Sequence, residues 1–309
     1  MNNQTIIGKY YIQNKIGNGQ FGTVYSGKNL KTGEKIAIKT EYKTTEYKVL
    51  KHETTILNHL YNNGCRCTPM VYWYGIHNNF TCLIMPLYQT SLDKYILEYA
   101  EISLQQLNRI MSKLIGILKI IHSHYVIHRD IKPQNFMLSY DDITSPNKDL
   151  FIIDFGMATI YVDEYKKHLE INSEKKEYVI GNPKFMSYNI HSGINSSRRD
   201  DLISLGYIYL YFIIGKLPWN TEDGSQYIPV SDTVSELSVH HSKNIYRMKN
   251  KEWRRLSEWI LLIMEENTQS ENIEFAESLG KIHRYLEYCY GLGFSTSPLY
   301  DELSVIFLS

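Results

Sequence analysis

Cysteine is scarce in this chain, with only Cys65, Cys67, Cys82 and Cys289 among 309 residues. So few thiols exclude a disulfide scaffold at this length and read as the reduced thiols of an intracellular protein. Cys65 and Cys67 sit one residue apart, but no second ligand pair lies at zinc-like spacing, so ordinary buried or loop thiols are preferred to a metal site. An excess of charge is also lacking, since 33 Lys and Arg balance 33 Asp and Glu. Nothing in that balance requires nucleic acid or a charged membrane as partner. Long hydrophobic runs are missing as well. The most apolar stretch, residues 202–214, is interrupted by tyrosines and is shorter than the roughly 20 residues that span a bilayer. The start, Met1-Asn2-Asn3-Gln4-Thr5, has neither the basic residues nor the apolar segment of a secretion signal. The expectation is a soluble, cytoplasmic protein, with nuclear or virion-associated placement left open, and monomer as the default.

What is present suffices for a full-sized core, because 43% of the 309 residues are hydrophobic. Tyrosine is abundant, at 26 residues. With plentiful Asn, Ile and Lys, it points to AT-rich codons and so to a low-GC genome such as that of a large DNA virus or a protist. No internal repeat or low-complexity tract breaks the chain. Residues 10–16, 22–29 and 35–40 are rich in β-branched and aromatic residues and are separated by turns such as Lys31-Thr32-Gly33, which predicts strands. A helix is expected over 43–59, then strands over 70–74 and 81–85. Beyond Leu87 the period changes. Leu104, Leu107, Ile110, Met111, Leu114, Ile115, Leu118 and Ile121 recur at steps of three and four, and Ser103 precedes them as an N-cap. The apolar stretch 202–214 reads as a buried central helix. The expected fold is α+β: a small sheet-rich lobe with one helix over residues 1–87 and a larger, mostly helical lobe over 88–309, together one domain.

Three segments carry candidate chemistry. The first is Ile16-Gly17-Asn18-Gly19-Gln20-Phe21-Gly22-Thr23-Val24. Glycines let backbone N–H groups approach a phosphate chain without side chains in the way, although any hairpin can carry glycines. The turn joins strand to strand, which argues against a dinucleotide-binding loop. The second is Ile36-Ala37-Ile38-Lys39, whose lysine ends an apolar strand beside that turn, in reach of phosphates. It needs an acid partner. Glu41, Glu46 and Glu53 all lie nearby and can be ordinary surface charges; Glu53 is preferred for its place in His52-Glu53-Thr54-Thr55-Ile56-Leu57. The third is His128-Arg129-Asp130-Ile131-Lys132-Pro133-Gln134-Asn135, followed by Asp154-Phe155-Gly156. Asp130 offers a carboxylate to orient a hydroxyl, Asn135 and Asp154 offer the hard oxygens that magnesium prefers, and Lys132 offers positive charge. His128 and Arg129 are expected to hold the loop and Phe155 to pack.

With these segments the sequence resembles a eukaryotic protein kinase over nearly all its length. Ser196-Ser197-Arg198-Arg199-Asp200-Asp201-Leu202-Ile203-Ser204-Leu205-Gly206-Tyr207, then Leu217-Pro218-Trp219, is similar to the casein kinase I group, as is Met186-Ser187-Tyr188-Asn189 where typical kinases carry Ala-Pro-Glu. The vaccinia-related kinases share several of these traits, but the His-Arg-Asp and Asp-Phe-Gly triplets fit casein kinase I better. The resemblance implies a bilobal kinase fold that takes ATP and magnesium and phosphorylates protein Ser and Thr hydroxyls. It implies Met85 behind the adenine, Pro86, Leu87 and Tyr88 as the hinge, and Asp201 bonded to the catalytic-loop backbone.

The chain departs from the group's pattern in places. Gly181-Asn182 replaces Gly-Thr, which predicts reduced or altered activity. Lys184 keeps one basic position of the group's phosphate pocket, whereas the lysine-rich stretch is replaced by Asn220-Thr221-Glu222-Asp223-Gly224, leaving a preference for primed substrates open. The chain ends soon after the last expected helix, so tail autoinhibition is not expected. An activation loop is expected over 157–180, with Thr159, Tyr161, Tyr165, Ser173 and Tyr178 as phosphate acceptors, and activity without their modification. Two competing readings are a pseudokinase that only binds partners and a small-molecule phosphotransferase. Retention of Lys39, Asp130 and Asp154 argues against the first. Lys132, Asp-Phe-Gly and the Arg-Arg-Asp-Asp segment argue against the second.

Overall fold

Alternating apolar and polar residues build the first sheet. The computed structural model describes residues 6–19, 22–98, 102–139, 149–171, 181–219, 252–269 and 272–309. Strands β1 (Ile6–Ile7), β2 (Tyr10–Gly19), β3 (Gly22–Asn29), β4 (Lys35–Tyr42), β5 (Trp73–His77) and β6 (Phe80–Pro86) form an antiparallel sheet in the order β1-β2-β3-β4-β6-β5. Ile36 and Ile38 of β4 are fully buried in a cluster with Ile7, Tyr10, Ile12, Tyr25, Cys82 and Ile84. Strand period two sends Ala37, Lys39 and Glu41 to the opposite face. A one-residue slip would eject both isoleucines from the cluster, at roughly 1.5–3 kcal/mol each. Burial of two isoleucines thus fixes where Lys39 points.

The first helix and strand β5 are placed differently from expectation. Helix α1 runs over Val49–Asn62 and not from residue 43, because Lys43 to Lys48 offers no apolar period and the Thr45 hydroxyl closes a turn onto the Tyr42 carbonyl at 2.7 Å. Strand β5 lies three residues beyond the stretch expected at 70–74. A two-residue turn, Asn78-Asn79, sets its register by pairing His77 with Phe80. Asn78 has φ of 55°, the left-handed geometry that such hairpins require and asparagine tolerates.

The chain forms two compact units. The first holds residues up to Ser91 together with Phe136–Ala158. It adds a small antiparallel sheet in which Phe136–Leu138 lies between Thr90–Ser91 and Leu150–Ile152. The second unit takes Leu92–Asn135 and the described residues beyond Ala158 and is mostly helical, with α2 (Leu92–Glu98), α3 (Leu104–Ser123), α4 (Tyr188–His191), α5 (Arg198–Ile214), α6 (Glu252–Gln269), α7 (Ile273–Gly291) and α8 (Tyr300–Leu308). Ser103 caps α3 as expected. Its Oγ accepts the Gln106 N–H at 3.2 Å, and the Gln106 side chain accepts the Ser103 N–H at 2.9 Å. Every α5 residue from Asp200 to Leu210 is buried, which suits the helix read from the apolar stretch. Gly206 lets α7 approach α5 closely, since a Cβ there would lie 2.5 Å from Leu286 Cδ2. Among the described residues no helix is long and apolar enough to cross a membrane.

Candidate active site

In the first unit, β2 and β3 form the glycine-bearing hairpin. Gly17 pairs with Val24, Asn18 with Thr23 and Gly19 with Gly22, and the Thr23 hydroxyl donates to Asn18 Oδ1 at 2.9 Å. Gly22 is required as glycine: its φ is 145°, and a Cβ would lie 1.9 Å from the Thr40 carbonyl oxygen. Ile16 is half-exposed, at 51%. Gln20 and Phe21, at the tip, lie outside the described residues. Across the sheet Val24 stands opposite Lys39 and Ala37 opposite Met85, so these four share the face away from the isoleucine cluster. Pro86 pairs with Ile36 at the end of β6, and the Leu87 N–H donates to the Lys35 carbonyl at 3.3 Å.

Lys39, Glu53 and Asp154 meet on that face. Lys39 Nζ lies 2.7 and 3.0 Å from the two Glu53 oxygens and 2.9 Å from Asp154 Oδ1. Burial works against the ammonium, but Asp154 and Glu53 outweigh it and hold the Lys39 pKa above its ordinary value. Burial pushes the Glu53 carboxyl up, opposed by Lys39 and by a hydrogen bond from the Phe155 backbone. Asp154 has φ of 69°, a left-handed backbone that costs a non-glycine residue roughly 1–2 kcal/mol. The ion pair on its side chain and the full burial of Phe155 keep it there. Next along, the Ala158 carbonyl lies 2.8 Å from His52 Nε2 of α1.

The second unit gathers Asp130, Lys132 and Asn135. Lys132 Nζ is 2.6 Å from Asp130 Oδ2. The Asn135 amide donates to the Asp130 carbonyl at 2.8 Å and to Asp130 Oδ2 at 3.2 Å. The turn Pro133–Asn135 carries Asn135 back to Asp130. Asp201 holds the preceding segment, accepting the His128 N–H at 2.7 Å and the Arg129 N–H at 3.0 Å, while Arg129 adopts φ of 68°. Burial opposes the Asp201 charge, yet hydrogen bonds from His122 and the His128 backbone hold its carboxyl below the usual range. His122, which the sequence gave no reason to single out, lies 3.0 Å from Asp201 Oδ2 through Nε2 and 2.6 Å from the Tyr300 hydroxyl through Nδ1. Burial lowers the His122 pKa, so we assign the neutral tautomer in which Nε2–H donates to Asp201 and Tyr300 donates to Nδ1.

The divergent positions also have partners. Asn182 Oδ1 accepts the Lys184 N–H at 2.9 Å, forming a local turn. The Lys184 ammonium sits over the Tyr211 ring, 3.6 Å from its centroid. In Met186-Ser187-Tyr188-Asn189, the Ser187 hydroxyl donates to Asp200 Oδ1 at 2.5 Å and the Asn189 amide to the same atom at 3.0 Å. Thr159, Tyr161 and Tyr165 are described, whereas Ser173, Tyr178 and the stretch 220–224 lie outside the described residues. Cys65 and Cys67 are free thiols with sulfurs 3.5 Å apart. No group of three metal-binding side chains occurs among the described residues. Set beside known families, the chain matches the model described as "Protein kinase domain" over residues 10–277.

Proposed function

The chain belongs to the protein kinase family, and from that premise we propose that it is a serine/threonine kinase of the casein kinase I type, active as synthesised. As a protein kinase it uses ATP and transfers a phosphoryl group to protein substrates. The observation that carries the finer reading is the contact of 2.6 Å between Lys132 and Asp130. A lysine two residues beyond the aspartate places positive charge beside the carboxylate that would receive a substrate hydroxyl. With Lys132 and the Asn135 amide both on Oδ2, Oδ1 of Asp130 is left to orient that hydroxyl and take its proton. Lys39, kept charged by Glu53 and Asp154, positions the ATP phosphates under the glycine hairpin. Val24, Ala37 and Met85 offer the apolar surface on the same sheet face for the adenine, with Ile16, Pro86 and Leu87 as its further contacts.

Magnesium fits the donors present. The Asn135 amide nitrogen is committed to Asp130, so its oxygen is the atom that remains for a cation. Asp154 adds a carboxylate that is one-third exposed, at 34%. Asn135 and Asp154 would each supply a hard oxygen, and the ion would neutralise charge on the phosphates. Support for the casein kinase I type comes from Ser187 and Asn189, which close on Asp200 in place of the usual Ala-Pro-Glu. The proposal extends to a cytoplasmic monomer, in keeping with the balanced charge. The test is transfer of labelled γ-phosphate to casein and to peptides offering only serine, threonine or tyrosine. Label on serine and threonine alone is expected. Label on tyrosine would overturn the specificity, and ATP binding without transfer would return the pseudokinase reading.

A further inference from the structure

We propose that Glu41 is a positioning residue for the Lys39–Glu53 pair: its carboxylate caps α1 from the neighbouring strand and fixes the helix that carries Glu53. The inference rests on the kinase reading of Lys39. Helix α1 lacks a cap of its own. Lys48 stands at its N-cap but its side chain does not cap the helix, its ammonium donating instead to the Lys43 carbonyl at 2.6 Å, and no acid occupies the first turn. Lys48 and Lys51 instead bring cations to the end where the helix dipole favours an anion. Glu41 supplies what is missing, with Oε2 accepting the Leu50 N–H at 3.2 Å.

The spacing matches on the two elements. Lys39 and Glu41 are two residues apart on β4 and share one face, so their side chains leave the strand about 6.7 Å apart. Val49 and Glu53 are four residues apart on α1, about 6 Å along the helix axis. One step of the strand therefore meets one turn of the helix at two points, Glu41 at its start and Glu53 a turn later. Glu41 is 3% exposed, and an ionised carboxylate is buried only where partners offset its lost hydration. Its second oxygen, Oε1, has no hydrogen-bond partner among the described residues. Burial pushes its carboxyl up, and the partners that oppose this are the Leu50 and Val49 N–H groups and Lys48. All three belong to the start of α1, so the helix end is what this buried acid serves.

A double-mutant cycle in the full chain separates positioning from general support of the fold. Glu41→Ala and Glu41→Gln are each made alone and with Glu53→Gln. The readouts are kcat, KM for ATP, the fraction folded, and affinity for a non-hydrolysable ATP analogue. Glu41→Ala is expected to lower kcat/KM for ATP about tenfold per folded molecule. Glu41→Gln, which keeps an acceptor oxygen, should recover most of it. Once Glu53 is replaced, Glu41→Ala should cost less than about twofold more. A tenfold loss in both backgrounds, or a loss that tracks only the folded fraction, would overturn the proposal. If Glu41→Ala does not fold, Glu41→Gln runs the same cycle with an expected effect of about threefold. Should the wild type transfer no phosphate, the kinase reading fails by itself, and coupling in analogue affinity decides the role of Glu41.

Discussion

A buried carboxylate persists only where its neighbours outweigh the hydration it has lost, and Asp201 meets that condition through three donors: the N–H groups of His128 and Arg129 and the ring of His122. The histidine makes the arrangement sensitive to pH. Its folded pKa is held below the ordinary 6.5 by burial, so between the two values the unfolded chain binds the proton that the folded one refuses. Stability is therefore full above about pH 6.5 and declines as pH falls toward the folded value. Urea unfolding between pH 7.5 and 5 should show this slope. His122→Gln, which can still donate to Asp201, should flatten it in part, since His168 and His283 shift in the same direction. An unchanged slope would exclude His122 as a source. The grouping of Asp130, Lys132 and Asn135 was legible in the sequence because one eight-residue motif, His128 to Asn135, carries all three. His122 was not, because its partner lies 79 residues away and a histidine in the last turn of an amphipathic helix carries no signal of its own.

The same division between local and distant causes holds for elements. Helix α3 starts where the sequence says, because its cap is built from Ser103 and Gln106, three residues apart. Removing it with Ser103→Ala should cost about 1 kcal/mol, read as a lower urea midpoint with an unchanged slope; no change would mean that the capping box adds nothing in solution. Helix α1 has its cap on another element, at Glu41, so a pattern read along the chain placed its start six residues early. Strand β5 was misplaced for a related reason, since the Asn78-Asn79 turn and not strand composition sets its register. The paired segments Thr90–Ser91, Val126–Ile127 and Thr159–Ile160 are two residues each. Such short strands exist only through their partners and leave no period to detect. Gly22 was expected in a phosphate-binding turn for its lack of a side chain; its approach to Thr40 shows a further need for glycine, in packing between neighbouring strands.

For the whole molecule, the family match covers residues 10–277, and the residues to which the proposed function gives a chemical role occur in each compact unit. The first unit holds the charged lysine and its two acids, and the second holds the carboxylate with its lysine and asparagine. On the proposed function, phosphoryl transfer rests mostly on positioning and on placing charge, with little covalent work for the protein. Replacing a group from either unit should then abolish the reaction without abolishing the fold. The most direct test is a single-turnover measurement of γ-phosphoryl transfer from ATP to a serine substrate, with wild type beside Asp130→Ala and Asp154→Asn. The account predicts transfer by the wild type and a loss of roughly 10²–10⁴-fold in Asp130→Ala with ATP still bound, together with a comparable loss in Asp154→Asn. Transfer that survives Asp130→Ala undiminished would contradict it.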